Sequence, residues 1–541
     1  MVTTVHQTLT RVRDQLLAAR SPHGHWEGEL SASALSTATA IVALALVDRD
    51  RHRGLITRGL DWLDKHANAD GGWGDTVLSV SNISTTTLVW AAFGLAGRPA
   101  PRAEAWLAKH DGGDLVQAII ARYGKDRTFS VPILTTCALT GRCDWKHVIP
   151  LPFELAVLPP ELFKWLRLPV VSYALPALIA IGQVRHHHRP ALRLIRNPAR
   201  QASLHVLEKI QPASGGFLEA IPLTSFVTMS LAGMGLAQHP VAERGVKFLI
   251  GAARADGSWP IDINLATWVT TLSVNALDDS LPESERAPIR DWLLAQQHRE
   301  LHPYTNAAPG GWAWTDLSGG VPDADDTAGA LLALKTLGVT DSPAIDAGVR
   351  WLLDLQNGDG GIPTFCKGWG ALPFDRSSPD LTAHALRVFP EGPGRQRALK
   401  YLARAQRPDG AWSPLWFGNQ HAPDEENLTY GTANVVRALP ASPMRDAGIR
   451  WLLAAQNDDG SWGGDMRTTP SIEETALAVA ALADAGEISA SRRGAEWIVR
   501  ATDAGRIVTA SPIGFYFAKL WYYEKLYPLI FTVSALRRVA G

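Results

Sequence analysis

The chain has 541 residues, more than one hydrophobic core usually serves, so two or more domains are expected. Lys plus Arg is 52 and Asp plus Glu is 53, a balance that gives no reason to expect a nucleic acid or an acidic polymer as partner. Three cysteines, Cys137, Cys143 and Cys366, show neither metal spacing nor a disulfide framework and fit a reducing cytoplasm.

Residues Met1 to Arg20 read as a helix with a polar face and lack the apolar run of a signal peptide. Tryptophans then recur in one setting. Gly59-Leu60-Asp61-Trp62 leads to Asp70-Gly71-Gly72-Trp73, and Arg244 to Phe248 leads to Asp256-Gly257-Ser258-Trp259. Ala398 to Tyr401 leads through Gln406 to Asp409-Gly410-Ala411-Trp412, and Ala447 to Trp451 leads through Gln456 to Asp459-Gly460-Ser461-Trp462. Weaker copies stand at Gly24-His25-Trp26, Gly215-Gly216-Phe217, Gly310-Gly311-Trp312 and Gln356 to Ile362. Adjacent copies are roughly 42–53 residues apart, the range of repeat architectures.

Each copy reads as a helix, an Asp-Gly turn in which glycine takes the left-handed conformation, a sealing tryptophan and a second helix. The second helices are expected at Ser81–Leu95, Thr224–Leu236, Leu265–Leu277, Thr327–Leu337, Thr382–Phe389, Thr432–Leu439 and Glu474–Leu482. Few strands are expected. Paired helices from two repeat sets predict an all-α chain of two α/α-barrels, each with an inner and an outer ring. The turns themselves read as staples between helices, not as chemistry. The longest apolar stretch, Leu168 to Ile181, carries two prolines and is too short to span a bilayer.

One stretch does not fit a purely structural reading. In Val321-Pro322-Asp323-Ala324-Asp325-Asp326-Thr327-Ala328 three carboxylates sit within four residues, just before an apolar helical pattern. One acid suffices to cap a helix. Two unit charges about 4 Å apart repel by roughly 4 kcal/mol at an effective dielectric near 20, so a packed cluster keeps a shared or retained proton.

The repeated Gln…Asp-Gly-x-Trp turns together with Asp323-Ala324-Asp325-Asp326-Thr327-Ala328 resemble the squalene–hopene cyclase family, within the protonation-initiated (class II) terpene cyclases. Ser378-Pro379-Asp380-Leu381-Thr382-Ala383-His384 is a second match. The resemblance implies that His384 hydrogen-bonds the middle aspartate of the acid motif and that Asp380 belongs to the polar network behind it. Their spacing of four puts both on one helix face. It further implies α6/α6 toroids: a catalytic domain of residues 1–21 with 264–541, an inserted domain of 22–263, and a cavity between them.

The chemistry so implied needs a strong acid shielded from water, because an isolated alkene is a very weak base. Asp325 is the expected donor, and a cationic His384 on one carboxyl oxygen would ease release of the proton from the other. Asp323 and Asp326 are expected to orient it and hold the charge balance, and ordered water to return the proton. The cation then formed needs an apolar wall with aromatic faces, each worth roughly 0.5–2 kcal/mol when desolvated. The resemblance gives Trp268, Trp312, Trp314, Trp416, Tyr430, Tyr173 and Phe365 as wall residues. In the run Phe515 to Tyr523, it gives Tyr516 and Tyr523 as the inward pair.

The chain also departs from the family. It is shorter, chiefly near Gln183 to Leu207, where Arg185-His186-His187-His188-Arg189, Arg193, Arg196 and Arg200 replace an apolar membrane-dipping helix. A solvated basic loop is the plain reading there; lipid headgroups or a diphosphate are the functional ones. Leu520 stands where the family often has an aromatic. Asn419 to Leu428 is an added segment whose Asp424-Glu425-Glu426 reads as a solvated loop or a cation site. Lys367 and Arg376 make the acid region more basic than a hydrocarbon requires.

The expected activity is cyclisation of squalene or a related polyprenoid without cofactor or metal. Cyclisation of a prenyl diphosphate, of the drimenyl or copalyl type and assisted by Mg2+, is the alternative. A non-catalytic helical binder, or a prenyltransferase-like barrel that would need a zinc site, is the third. A hydrophobic polyprenoid, peripheral contact with the inner face of the cell membrane and a cytoplasmic location complete the expectations.

Overall fold

The computed structural model describes residues 2–159, 174–303, 305–365 and 375–540. Tyr173, Cys366 and Lys367 lie outside them, as does the side chain of Tyr516. Helix α1 (Val2–Ala18) comes first. There follow α2 (Ala34–Asp48), α3 (Arg53–Lys65), α4 (Ile83–Leu95), α5 (Pro101–His110), α6 (Leu115–Tyr123), α7 (Ser130–Leu139), α8 (Leu175–His188), α9 (Arg193–Lys209), α10 (Ile221–Gly233) and α11 (Pro240–Gly251). Among the described residues α2, α4, α7, α8 and α10 close an inner ring, with α3, α5, α6, α9 and α11 packed outside.

The second half repeats the plan with α12 (Ala266–Leu277), α13 (Glu283–Ala295), α14 (Ala324–Thr336), α15 (Pro343–Leu355), α16 (Pro379–Leu386) and α17 (Pro393–Ala405). It ends with α18 (Leu428–Ala438), α19 (Pro443–Ala455), α20 (Ile472–Asp484), α21 (Ile488–Ala501) and α22 (Tyr527–Ala540). The even-numbered helices α12 to α22 form the inner ring, and α22 returns to pack on α12. The odd-numbered ones lie outside, and α1 completes the outer layer against α22. The chain therefore begins in the larger toroid, leaves to build the smaller one, and comes back. Each second helix expected from the repeats is present, with ends shifted by a few residues.

The repeats explain why the helices pair. In each full copy the indole N–H donates to a carbonyl ten residues earlier: Trp73 to Leu63, Trp259 to Leu249, Trp412 to Leu402 and Trp462 to Leu452, all at 2.7–2.8 Å. The same residue's backbone N–H donates to a buried inner-helix threonine, as Trp412 does to Thr432 and Trp462 to Thr475. Gln406 donates to Gly410 O in its own turn and to Met444 O in the next outer helix. Glycine is required at these turns: Gly410 has φ +98°, and a Cβ there would meet Ala447 O at 2.6 Å. Two copies close the rings. Trp259 N–H donates to Thr37 of α2, and Trp26 N–H donates to Thr270 of α12.

Short strands lie at the junction of the toroids, where Leu30 and Glu524 form a bridge between them. β1 (Ala32–Ser33) pairs with β2 (Trp259–Pro260). β3 (Phe417–Gly418), β4 (Ile513–Phe515) and β5 (Leu520–Tyr522) form an antiparallel sheet in that order. Asp75 of the smaller toroid accepts the Trp521 N–H at 2.8 Å, which holds this sheet between the two rings. The added segment acts as a clasp, with His421, Pro423 and Asp424 exposed on it. Glu425 pairs with Arg122 at 2.6 Å and with Lys519, and Gln420 accepts the Val80 N–H at 3.0 Å.

Candidate active site

The acid cluster is built by the start of α14. Asp323 is its N-cap, and one carboxylate oxygen accepts the N–H groups of Asp325 and Asp326, both at 2.9 Å. The backbone of Asp323 is itself held by Trp312 O at 3.0 Å, and that of Ala324 by Thr364 O at 2.9 Å. Asp323 and Asp326 are buried, and Asp326 Oδ1 has no partner. Burial drives the Asp323 carboxyl up to about 7. Burial, then the charge of Asp323, drives Asp326 well above the carboxylate range, so the pair retains a proton.

Asp325 is the member that reaches out. Its Oδ1 lies 2.6 Å from Nδ1 of His384 on α16. Asp380, one turn earlier on α16, is buried and does not bond His384. It accepts the Ser378 hydroxyl and, at 3.4 Å, the Leu415 N–H. Its other oxygen is unpartnered, and burial pushes the carboxyl up to about 6.

Asp323, Asp325 and Asp326 open on a cavity of about 280 Å³ between the toroids, whose wall is otherwise almost wholly apolar. The larger toroid supplies Trp268, Trp314, Phe365 and Trp416, four of the expected aromatic residues. Three of them continue with Phe515 as an edge-to-face chain: Trp314 to Phe365 at 6.1 Å, Phe365 to Trp416 at 5.7 Å, and Trp416 to Phe515 at 4.4 Å between centroids. Trp268 stands edge-on to His384 at 6.2 Å and donates its indole N–H to Tyr527 Oη at 2.9 Å.

Other expected wall residues lie elsewhere. Trp312 is fully buried and donates to Leu293 O, so it is a staple. Tyr430 faces the lumen of the larger toroid, behind Asp325, with its ring on Phe417 at 4.4 Å. Tyr523 is half-buried and stacks no ring on the wall; its backbone pairs with Ser31 at the toroid junction. Phe515, Phe517, Leu520, Tyr522 and Tyr527 take the inward positions instead. The strand period of two puts Leu520 and Tyr522 on the cavity face together. That alternation is the signal for the inward pair that the sequence carries. The smaller toroid adds Phe129, Leu218 and Phe226, which the sequence did not reveal.

One acid outside the motif also lines the cavity. Asp262 follows β2 and pairs with Ala220 across an isolated bridge. Burial and the nearby Glu219 hold its carboxyl well above the usual range. Glu219 Oε2 is buried there without a partner, and the Trp314 indole lies beside Asp262.

Part of the basic run is structural, while His187, Arg189 and Arg193 are exposed. Arg185 is buried and donates to Val148 O at 3.0 Å, Arg196 is buried against Glu154 at 3.0 Å, and His188 bonds Gly233 O at 2.9 Å. Among the described residues no group of His, Cys, Asp and Glu is arranged to hold a metal ion, and no helix is long and apolar enough to cross a membrane.

Residues 265–540 match the model of the squalene-hopene cyclase C-terminal domain, and residues 9–174 match that of the N-terminal domain. The squalene–hopene cyclase of Alicyclobacillus acidocaldarius is 26% identical, over 76% of this chain and 76% of its own length. The sporulenol synthase of Bacillus subtilis is 28% identical over 47% of this chain, a match that spans 44% of that enzyme. Among solved structures, abietadiene synthase from Abies grandis aligns with a TM-score of 0.49 at 15% identity, over 84% of this chain and 59% of its own.

Proposed function

This chain belongs to the squalene-hopene cyclase family, and we propose that it is a class II terpene cyclase acting on squalene or a closely related neutral polyprenoid. The observation that carries this reading is the Asp325–His384 pair opening on an aromatic-walled cavity. The catalytic toroid comprises residues 1–21 and 264–541, and residues 22–263 form the inserted one.

Asp325 donates its proton to a terminal alkene carbon of the folded substrate, and the alkene electrons form the new C–H bond. The carboxylate left behind is held by the His384 contact at Oδ1 and by the positive end of α14. Asp323 and Asp326, sharing a proton, keep the cluster from carrying three charges. The apolar wall excludes water, so the cation is met by ring electrons before any oxygen. Trp268, Trp314, Phe365 and Trp416 supply those faces. Asp262 and the Trp314 indole N–H make the polar end at which an oxygen takes the last proton, whose C–H electrons become the product alkene.

A neutral substrate fits better than a diphosphate, because no Lys, Arg or His is among the described residues that line the cavity. Purified protein is incubated with squalene, farnesyl diphosphate and geranylgeranyl diphosphate, each with and without chelator, and products are read by mass spectrometry. Squalene turnover insensitive to chelator supports the proposal. A chelator-sensitive cyclised diphosphate replaces it with the alternative, and no turnover of any of them revives a binding role.

Membrane contact is part of the same proposal. Leu192, Leu194 and Ile195 are 62, 94 and 61% exposed at the start of α9, beside Arg189 and Arg193. The turn Phe153–Val157, whose Leu155 is also exposed, packs on that helix. An apolar tip ringed by cations suits an anionic membrane on the cytoplasmic side, from which a polyprenoid would enter. Leu194→Asp should abolish flotation with anionic vesicles; unchanged flotation removes this surface from the account.

A further inference from the structure

All six inner helices of the larger toroid contribute to a second cavity, a lumen of about 460 Å³. One end of it reaches Asp325, Asp380 and His384. The other carries Lys335, Arg387, Arg437 and Arg538. These four cations lie in the last turns or at the C-caps of α14, α16, α18 and α22.

Cations at helix C-termini ordinarily serve the helix dipole. That need is already met here from the outer ring. Arg286 donates to Thr336 O at 2.9 Å and to Asp278 O at 2.8 Å. Arg395 donates to Leu386 O at 2.8 Å. Arg445 donates to Val436 O at 3.1 Å and to Asp484 O at 3.3 Å. Lys335, Arg387 and Arg437 are therefore surplus to the ends of their helices, while Arg538 donates to Ser534 O of its own helix at 2.7 Å.

Carboxylates do not balance them either. Arg437 and Arg538 share one, Asp484, at 3.1 and 2.9 Å. Asp278 is taken by Arg537 at 2.6 Å. Arg387 is exposed to the open lumen, and its side chain makes no hydrogen bond or ion pair among the described residues. Burial and the neighbouring guanidiniums pull Arg437 below its ordinary range, and Arg538 down to about 10.

We propose that Arg387, Arg437 and Arg538 form a binding site for a multiply charged oxyanion of the phosphate or diphosphate class, inside the lumen and apart from the polyprenoid cavity. Guanidinium forks match phosphoryl oxygens two at a time, and a dianion restores the missing charge. The anion is either free in solution or the head group of a prenyl diphosphate whose tail lies along Leu272, Leu332 and Leu477. The site does not depend on which substrate is cyclised.

The full chain is titrated calorimetrically, at low salt, with inorganic phosphate, inorganic diphosphate and farnesyl diphosphate. Saturable binding is expected, and Arg387→Gln should weaken it at least about tenfold. Arg387 has no partner to lose, so this variant should melt with the parent. Arg538→Gln should weaken binding as well, with Asp484 left to hold Arg437. Binding of inorganic diphosphate supports a free anion. Binding of farnesyl diphosphate alone, still lost in Arg387→Gln, supports a head group. Absence of saturable binding for all three ligands, or equal affinity in parent and Arg387→Gln, overturns the proposal.

Discussion

Asp325 Oδ1 and His384 Nδ1 stand 2.6 Å apart although 59 residues separate them in the chain. The contact joins the first turn of α14 to the far end of α16, and only the side of Asp325 away from His384 is left for a substrate. Replacing His384 by Gln keeps a hydrogen-bond partner but removes the imidazole. We expect kcat to fall roughly 10²–10⁴-fold, the usual size of an acid–base contribution. KM should stay near the parent value, because His384 lines the lumen and not the polyprenoid cavity. Steady-state kinetics with unchanged kcat would detach His384 from proton donation.

The aromatic chain should act later than the acid. Trp416 sits between Phe365 and Phe515. Trp416→Leu keeps the wall apolar and removes a π face worth roughly 0.5–2 kcal/mol to a passing cation. Partly cyclised products should rise by about two- to thirtyfold relative to the main product. Product ratios by gas chromatography decide this, and an unchanged pattern places the cation elsewhere.

Asp262 should govern how the cascade ends and not how it starts. Asp262→Leu removes a buried acid beside the Trp314 indole. Substrate consumption should hold near the parent rate while the position of the final double bond, or the share of hydroxylated product, changes. Loss of consumption with unchanged products would contradict the role.

Asp323 makes a prediction about pH and stability. Its folded carboxyl titrates near 7, against an ordinary value of 3.8. Between those values the folded chain binds more protons than the unfolded one, so this group's contribution is present at low pH and is lost as pH rises through about 7. Asn at 323 still accepts both N–H groups and does not ionise. The melting temperature of Asp323→Asn minus that of the parent should increase from pH 4 to pH 7.5. A constant difference would show that Asp323 is not the buried acid it is here.

Much of this arrangement was legible in the sequence because its causes are local. A left-handed glycine, an indole donor and a Gln amide recur at fixed spacing, and each builds its staple within about forty residues. The acid cluster was legible for the same reason, as a cap with two carboxylates to spare. The wall was less so. Trp312 and Trp314 are neighbours in the same loop, yet one is a staple and the other faces the cavity. Their difference is set by α13, whose Leu293 carbonyl takes the Trp312 N–H. Tyr522 and Tyr523 are separated in the same way by the pairing of β5 with β4, which turns alternate residues to opposite faces. Asp262 and Phe226 reach the cavity only because the smaller toroid is docked, and no local pattern encodes that. The clasp role of Glu425 likewise depends on Arg122, 303 residues away.

The central claim is that a proton carried by Asp325 becomes part of the product. The direct measurement is cyclisation in D2O with unlabelled squalene, read by mass spectrometry of the product. One deuterium per molecule, on the ring methylene carbon next to the gem-dimethyl carbon where cyclisation begins, is the expected result, with no product of any mass from Asp325→Asn folded as the parent. Product without deuterium, or full activity in Asp325→Asn, would contradict it.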